Sequence, residues 1–299
     1  MNLHGVFAPL TTPFAPDGSL AADRLRENIA RYNETPLAGY TMNGSTSESV
    51  LLLWSEVYRV WETGKKYAAP GKILIAGTGA ESTRETIEHT ARAAELGFAA
   101  ALVRTPSFYK PAINDEMLAE HYIRVADAAK IPVLVYSVPT FTHVTVEASL
   151  IVRVGKHPNI IGMKDSSGNV EGAAKIIAAA PKTFQTLVGS ASTFYESLER
   201  GACGAILAVA NALPEMCCEI WQAFQNRKAE RARELQHKLT AAGKMFGPQY
   251  GIAGLKYALD RRGYYGGDPR PPLLPAGEAA RREIDAMLDE LLAETASRR

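Results

Sequence analysis

The feature that most constrains the fold is an alternation. Short apolar runs recur along the chain, separated by longer stretches with helical spacing. The runs are Val6–Pro9, Gly39–Met42, Ile73–Ala76, Ala100–Val103, Val133–Tyr136, Ile160–Lys164, Phe184–Gly189 and Gly204–Val209. They are too short for helices and nearly continuous in apolar character, as strands covered on both faces are. The first seven are each followed by a helix-length segment. Ser49–Trp61 sets Val50, Leu53, Trp54, Val57, Val60 and Trp61 at helical spacing, and Thr83–Leu96 does so with Ile87, Ala91 and Ala94. Eight such units close most naturally into a (β/α)8 TIM barrel, an α/β fold, with an open doubly wound sheet as the alternative. A dinucleotide site has little support, because Gly77-Thr78-Gly79 lacks the third glycine of the phosphate-binding turn.

After Val209 the rhythm changes. Pro214–Gln225, Lys228–Gly243, Gly251–Arg262 and Ala276–Ala296 read as helices with no strands between them, interrupted by Gly263-Tyr264-Tyr265-Gly266-Gly267-Asp268-Pro269. The first is taken as the eighth barrel helix, so residues 1–226 form the expected barrel and 227–299 a C-terminal helical extension. A barrel of ~250 residues plus an appendage accounts for the length. Lys plus Arg number 33 against 32 Asp plus Glu, which leaves no field to attract nucleic acid or an acidic membrane. Arg227, Lys228, Arg231, Arg233 and Lys238 are interspersed with acidic residues, as on a solvated helix face. A small-molecule ligand is the expectation. Cys203, Cys217 and Cys218 are odd in number and fit no C-x-x-C spacing, arguing against a disulfide framework or a zinc site and for a reducing, cytoplasmic setting. No segment reaches the ~20 apolar residues of a membrane helix, and Met1–Phe7 has no leader pattern.

In a barrel of this kind chemistry sits at the C-terminal ends of the strands. Lys164 ends the sixth run and Tyr136 the fifth, while Gly44-Ser45-Thr46 follow the second and Gly189-Ser190 the seventh. A lysine so placed can hold a Schiff base if burial or neighbouring cations destabilise its ammonium, because only the neutral amine attacks a carbonyl. Plainer readings stand beside these. Lys164 could be a surface lysine and Tyr136 a core tyrosine bonded to backbone. Ser45 with Glu48 fits an S-x-x-E capping box, a role compatible with binding a carboxylate at the helix start. Ser166 and Ser167 could simply begin the next helix.

These residues carry a resemblance. Gly44-Ser45-Thr46-Ser47-Glu48 resembles the G-[ST]-[TN]-G-E signature of the dihydrodipicolinate synthase and N-acetylneuraminate lyase family, class I aldolases that act through pyruvate. Leu134–Pro139 resembles its tyrosine motif, Ile161–Ser166 its Schiff-base motif, and Ala208-Val209-Ala210-Asn211 a further landmark. The resemblance runs from about Gly5 to Leu274. It implies a barrel with a C-terminal helical extension, usually a homotetramer built from dimers, acting on a small 2-oxo acid with no metal and no organic cofactor. By matching motif, Lys164 would be the nucleophile, Tyr136 the general acid/base, and Ser45 and Thr46 the carboxylate-binding pair. Gly189, Ser190 and Ile206 join the candidate substrate-binding set.

Departures narrow the subfamily. Dihydrodipicolinate synthases carry an arginine two residues beyond the proline of the tyrosine motif, where it binds the carboxylate of aspartate semialdehyde; here that position is Phe141. Thr105-Pro106-Ser107-Phe108-Tyr109 aligns with a T-P-x-Y-Y motif whose first tyrosine is the partner-chain proton relay. Phe108 stands in its place, with Tyr109 as a partial substitute. Ser47 and His143 replace glycines of the family pattern. Tyr136–Pro139, His157-Pro158-Asn159, Leu235-Gln236-His237 and Gly263–Gly267 look most like 4-hydroxy-2-oxoglutarate aldolases, in which the serine after Lys-Asp helps bind substrate, making Ser166 a candidate. The expected activity is Schiff-base cleavage of a 4-hydroxy-2-oxo acid to pyruvate and an aldehyde such as glyoxylate. The alternatives are the condensation of pyruvate with aspartate semialdehyde, a 2-keto-3-deoxy sugar-acid aldolase or dehydratase, and a catalytically silent keto-acid binder.

Overall fold

The eight apolar runs are strands, and every neighbouring pair is parallel. In the computed structural model, which describes residues 1–296, β1 (Gly5–Pro9), β2 (Gly39–Met42), β3 (Ile73–Gly77), β4 (Ala100–Arg104), β5 (Val133–Ser137), β6 (Ile160–Asp165), β7 (Gln185–Val188) and β8 (Gly204–Ile206) close into a barrel. β8 pairs back onto β1 through Gly5↔Gly204 and Phe7↔Ile206. The connecting helices are α1 (Ala22–Asn33), α2 (Trp54–Tyr67), α3 (Thr83–Glu95), α4 (Asp115–Ala128), the short α5 (Pro139–Thr142) and α6 (Ala148–Val154), α7 (Val170–Ala179), α8 (Phe194–Glu199) and α9 (Pro214–Gln225). Helices α10 (Ala229–Lys244), α11 (Gly251–Arg261) and α12 (Glu278–Ala296) follow. Residues 297–299 of the expected extension lie outside the described residues.

Side chains alternate across the strands as the two-residue period requires. Phe7, Ile75, Leu102, Leu134, Leu187 and Ile206 fill the barrel, while Val6, Ala8, Leu74, Ala76 and Ala205 face the helices. One irregularity breaks the alternation. Between β5 and β6 the pairing steps from Val133↔Ile160 to Leu134↔Gly162, so Ile161 is an extra residue. Beyond it Tyr136 stands opposite Lys164.

Three expectations need correction. The helix expected from Ser49 begins only at Trp54, because Glu48 adopts a left-handed φ of 58° and divides the segment into 3-10 turns at Ser45–Ser47 and Ser49–Leu51. Val50 and Leu53 are consequently exposed at 78% and 70%. Helix α3 lies where expected but buries Thr86, His89, Thr90 and Ala93 instead of the face through Ile87, Ala91 and Ala94. Those polar groups can turn inward because each has a partner: Thr90 Oγ1 lies 2.9 Å from Thr78 Oγ1, His89 Nδ1 2.7 Å from the Tyr58 hydroxyl, and Thr86 Oγ1 accepts the Ala80 N–H. Finally, β8 stops at Ile206, and the chain turns into a 3-10 segment, Ala208–Asn211. There the Asn211 amide donates to the carbonyls of Pro9 and Ala208, so the eighth run is shorter than its apolar length suggests.

The last three helices share the apolar core outside the strands, contributing Ala232, Leu235, Leu239, Leu255, Leu259, Ile284 and Leu288. Gln236 fastens α10 to the β7–α8 loop and the start of α8: its side-chain oxygen accepts the Tyr195 N–H and its amide donates to the Ala191 carbonyl. A π-turn at Met245–Gln249, containing Pro248, joins α10 to α11. Among the described residues no helix is long and apolar enough to cross a membrane.

Candidate active site

Lys164 is the last inward-facing residue of β6 and only 4% exposed. Its Nζ lies 3.4 Å from the Tyr136 hydroxyl and 4.4 Å from the centre of that ring. Tyr136 occupies the matching register on β5, and its hydroxyl stands 3.2 Å from Ser45 Oγ. Three side chains from β6, β5 and the β2–α2 loop thus form a continuous polar line over an apolar floor that includes Leu187 and Ile206. An amine, a phenol and a hydroxyl within hydrogen-bond reach can pass protons along that line.

Ser45 and Thr46 open the first 3-10 turn, and their backbone N–H groups have no acceptor among the described residues. Unpaired donors at the start of a helical turn suit an anionic oxygen. The capping-box expectation fails here. Ser45 turns its hydroxyl to Tyr136, while Glu48 points away and pairs with Lys256 at 2.7 Å. Glu56 serves α2 instead, accepting the Leu53 N–H at 2.9 Å. Ser47, where the family pattern has glycine, is buried; its Oγ donates to the Leu10 carbonyl and its own carbonyl accepts from Thr12, tying the loop to the end of β1. His143, the other glycine replacement, adopts a left-handed φ of 53°.

Opposite this loop, Gly189 leaves room for its neighbours. A Cβ there would stand 1.9 Å from Ser166 Oγ and 3.0 Å from Lys164 Cε, so only glycine lets the three meet. Its N–H also donates to the Asp165 carbonyl at 2.6 Å. Ser190 lies one step further out, its Oγ 3.0 Å from Ser192 Oγ. Ser167 does not begin the next helix: it bonds Asp165 through its N–H and hydroxyl, and Asn169 caps α7 by accepting the Gly172 N–H. Asp165 faces outward, where burial raises its carboxyl above the usual range against those two bonds.

The structure therefore gathers Lys164, Tyr136, Ser45, Thr46, Ser166, Gly189 and Ile206 at one end of the barrel. Phe108, Tyr109 and Phe141 stay apart on the rim, exposed at 76%, 76% and 66%. The Phe108 and Tyr109 rings meet edge to face with centres 5.1 Å apart. Their loop is held from beneath by Arg104 and Glu81, two residues the sequence reading passed over. Arg104 closes β4 beside Tyr136 and donates to Glu81 Oε1 at 2.6 Å, while Glu81 Oε2 accepts the N–H groups of Ser107 and Phe108. The available signal was an arginine ending an apolar run, directly before Thr105-Pro106. Among the described residues no three His, Cys, Asp or Glu side chains converge as a metal site would need.

Comparison with known proteins agrees with this geometry. Residues 2–291 match the dihydrodipicolinate synthetase family. The 4-hydroxy-tetrahydrodipicolinate synthase of Methanothrix thermoacetophila is 33% identical over 291 residues, covering 96% of this chain and 97% of the relative. An uncharacterized DapA-like lyase of Halobacterium salinarum is 35% identical over 296 residues, covering 97% and 95%. Among solved structures, the chloride-inhibited dihydrodipicolinate synthase from Acinetobacter baumannii complexed with pyruvate superposes with a TM-score of 0.92 at 29% identity, covering 96% of this chain and 98% of that one. With an eight-stranded barrel, a family match over nearly its whole length and relatives of this similarity, the chain belongs to the dihydrodipicolinate synthetase family.

Proposed function

We propose that the chain is a class I, pyruvate-dependent carbon–carbon lyase or synthase that works through a Schiff base on Lys164. The observation that carries this reading is the line Lys164–Tyr136–Ser45, with spacings of 3.4 and 3.2 Å. The amine adds to C2 of the 2-oxo acid, water leaves, and the iminium becomes an electron sink. Loss of a C3 proton, or cleavage of the C3–C4 bond of a 4-hydroxy adduct, delivers the electron pair to give an enamine. Tyr136 relays protons to and from the departing water and the adduct hydroxyl. Ser45, Thr46 and their N–H groups bind the substrate carboxylate, and Ser166 and Gly189 shape the opposite wall. Soluble dimers paired into a tetramer belong to the same reading, supported by the exposed Val50, Leu53, Phe108 and Tyr109.

Two second substrates divide this reading. The names of the relatives support condensation of pyruvate with aspartate semialdehyde, the 4-hydroxy-tetrahydrodipicolinate synthase reaction. Phe141, apolar and exposed where that reaction calls for a guanidinium, supports cleavage of a 4-hydroxy-2-oxo acid to pyruvate and an aldehyde such as glyoxylate.

Borohydride reduction in the presence of pyruvate, followed by peptide mass mapping, tests the shared chemistry: the adduct belongs on Lys164 and disappears in Lys164→Ala. An adduct on another lysine, or none, overturns the assignment. Pyruvate release from 4-hydroxy-2-oxoglutarate, measured beside consumption of pyruvate with aspartate semialdehyde, then separates the two reactions. If cleavage is native, Phe141→Arg should raise kcat/KM for the semialdehyde by about tenfold or more, the worth of one charge-assisted bond.

A further inference from the structure

The loop that carries Ser45 and Thr46 is anchored from behind by residues far along the chain. Glu48, 3% exposed and held at φ 58° and ψ 36°, uses both carboxylate oxygens. Oε1 accepts from Lys256 Nζ at 2.7 Å, across 208 positions of sequence, and Oε2 accepts the backbone N–H of Arg270 at 2.7 Å. Lys256 lies on α11, its side chain fully buried, and makes a second bond to the Asp268 carbonyl at 3.0 Å. Its ammonium sits 4.4 Å from the centre of the Phe14 ring, and the Arg270 guanidinium lies 4.3 Å from the same centre. Arg270 in turn grips Glu56, at the start of α2, through two bonds of 2.6 and 2.7 Å.

This arrangement does more than satisfy charge. A left-handed backbone is disfavoured for any residue with a Cβ and persists only where the surroundings impose it. A buried carboxylate bonded on both oxygens imposes it, because moving residue 48 would strand the charge. Glu48 is also the residue whose N–H closes the turn by donating to the Ser45 carbonyl at 3.1 Å. The position of residue 48 therefore sets the direction of the free N–H groups at 45 and 46. None of the bonds described for Lys256 reaches Lys164 or Tyr136, so any influence passes through the backbone of 44–48.

We propose that Lys256 is a positioning residue for the 2-oxo acid: by holding Glu48 it fixes the Ser45–Thr46 cradle that receives the substrate carboxylate, giving the C-terminal helices a part in substrate affinity. The proposal rests on the Schiff-base reading above. It predicts a split between affinity and turnover that simple loss of stability does not produce.

The test measures how adduct formation on Lys164 depends on pyruvate concentration, in Glu48→Gln, Lys256→Met and the double variant Glu48→Leu/Lys256→Met. The double variant removes both charges together, so it keeps its fold where a single change strands one of them. Half-saturating pyruvate should rise about ten- to a hundredfold, as expected for a displaced binding group. Turnover at saturation should stay within about threefold, the pattern of lost uniform binding. In the unmodified protein, pyruvate should slow amide exchange in peptides covering 44–51 and 251–270. Wild-type half-saturation in a variant that melts normally overturns the positioning role, as does exchange protection confined to peptides around 136 and 164. Absence of any adduct in the wild type overturns the Schiff-base reading and the proposal with it.

Discussion

The Glu81 carboxylate, in the loop after β3, accepts the backbone N–H of Phe108, in the loop after β4, at 3.0 Å. Burial by itself would raise this carboxyl, but the Ser107 N–H, the Arg104 guanidinium and the Phe108 N–H together bring it down to about 2, from 4.5. A folded value below the unfolded one contributes stability that is present above pH 4.5 and fades as the pH falls toward about 2. Glu81→Gln should therefore melt below the wild type at neutral pH, and the gap should close across that window. Melting curves recorded from pH 7 downward check it; a gap independent of pH would remove the carboxylate from the account.

His121 holds its proton less readily than a surface histidine does. Burial, then the nearby Arg104, lower it from 6.5 to about 4, with Glu81 opposing. Its Nδ1 lies 2.9 Å from the Thr83 hydroxyl, and Nε2 has no partner among the described residues. The unfolded chain takes up this proton near pH 6.5 and the folded one only near 4, so stability is complete above 6.5 and declines between the two. The loss is on the order of 3 kcal/mol at its fullest. His121→Gln should flatten that part of the stability–pH curve, which denaturant titrations at pH 7, 5.5 and 4 would reveal.

Gly189→Ala should injure the site while sparing the barrel. The added methyl collides with Ser166 Oγ and crowds Lys164 Cε. Lys164 can swing its end aside, but Ser166 Cβ, 2.8 Å from the added methyl, is fixed to its backbone, so the cost falls on the placement of residues 164–166. Borohydride adduct formation should slow by about a hundredfold, the penalty for an ångström of misplacement. A wild-type trapping rate would show that Lys164 needs no such clearance.

Removing one oxygen from Tyr136 separates its two proposed duties. Tyr136→Phe keeps the ring against Lys164 Nζ but loses the hydroxyl that bridges to Ser45. Turnover should drop by about 10²–10⁴-fold, the range for a general acid/base. The adduct should still accumulate, more slowly, and rapid quench with borohydride resolves the two rates.

Much of this was legible in the residues because strands of a parallel barrel advertise themselves. A continuous apolar run has no other place to go, and a lysine or tyrosine ending one must stand at the rim. Less legible was everything set by long-range pairing. The S-x-x-E spacing at Ser45 and Glu48 is the same whether Glu48 reaches back to cap a helix or forward to Lys256, and only the left-handed backbone decides. The inner face of α3 was misread because threonine and histidine count as polar until Thr78, Tyr58 and Ala80 supply their partners. Arg104 was missed for a related reason: nothing local shows that Glu81 waits across the loop.

The extra residue at Ile161 has a consequence for the chemistry. Facing alternates with each step along a strand, so counting from Ile160, which packs among the helices, an unbroken β6 would turn residue 164 outward as well. The amine would then lie between the strands and helices, on the far side of the sheet from the Tyr136 hydroxyl. The bulge takes up one residue without turning the chain over, which keeps the downstream residues in step with β5 and brings the nitrogen into the barrel, opposite Tyr136. Straightening the bulge with all of its residues kept would leave every reactive group in the chain, yet send the nucleophile through the wall.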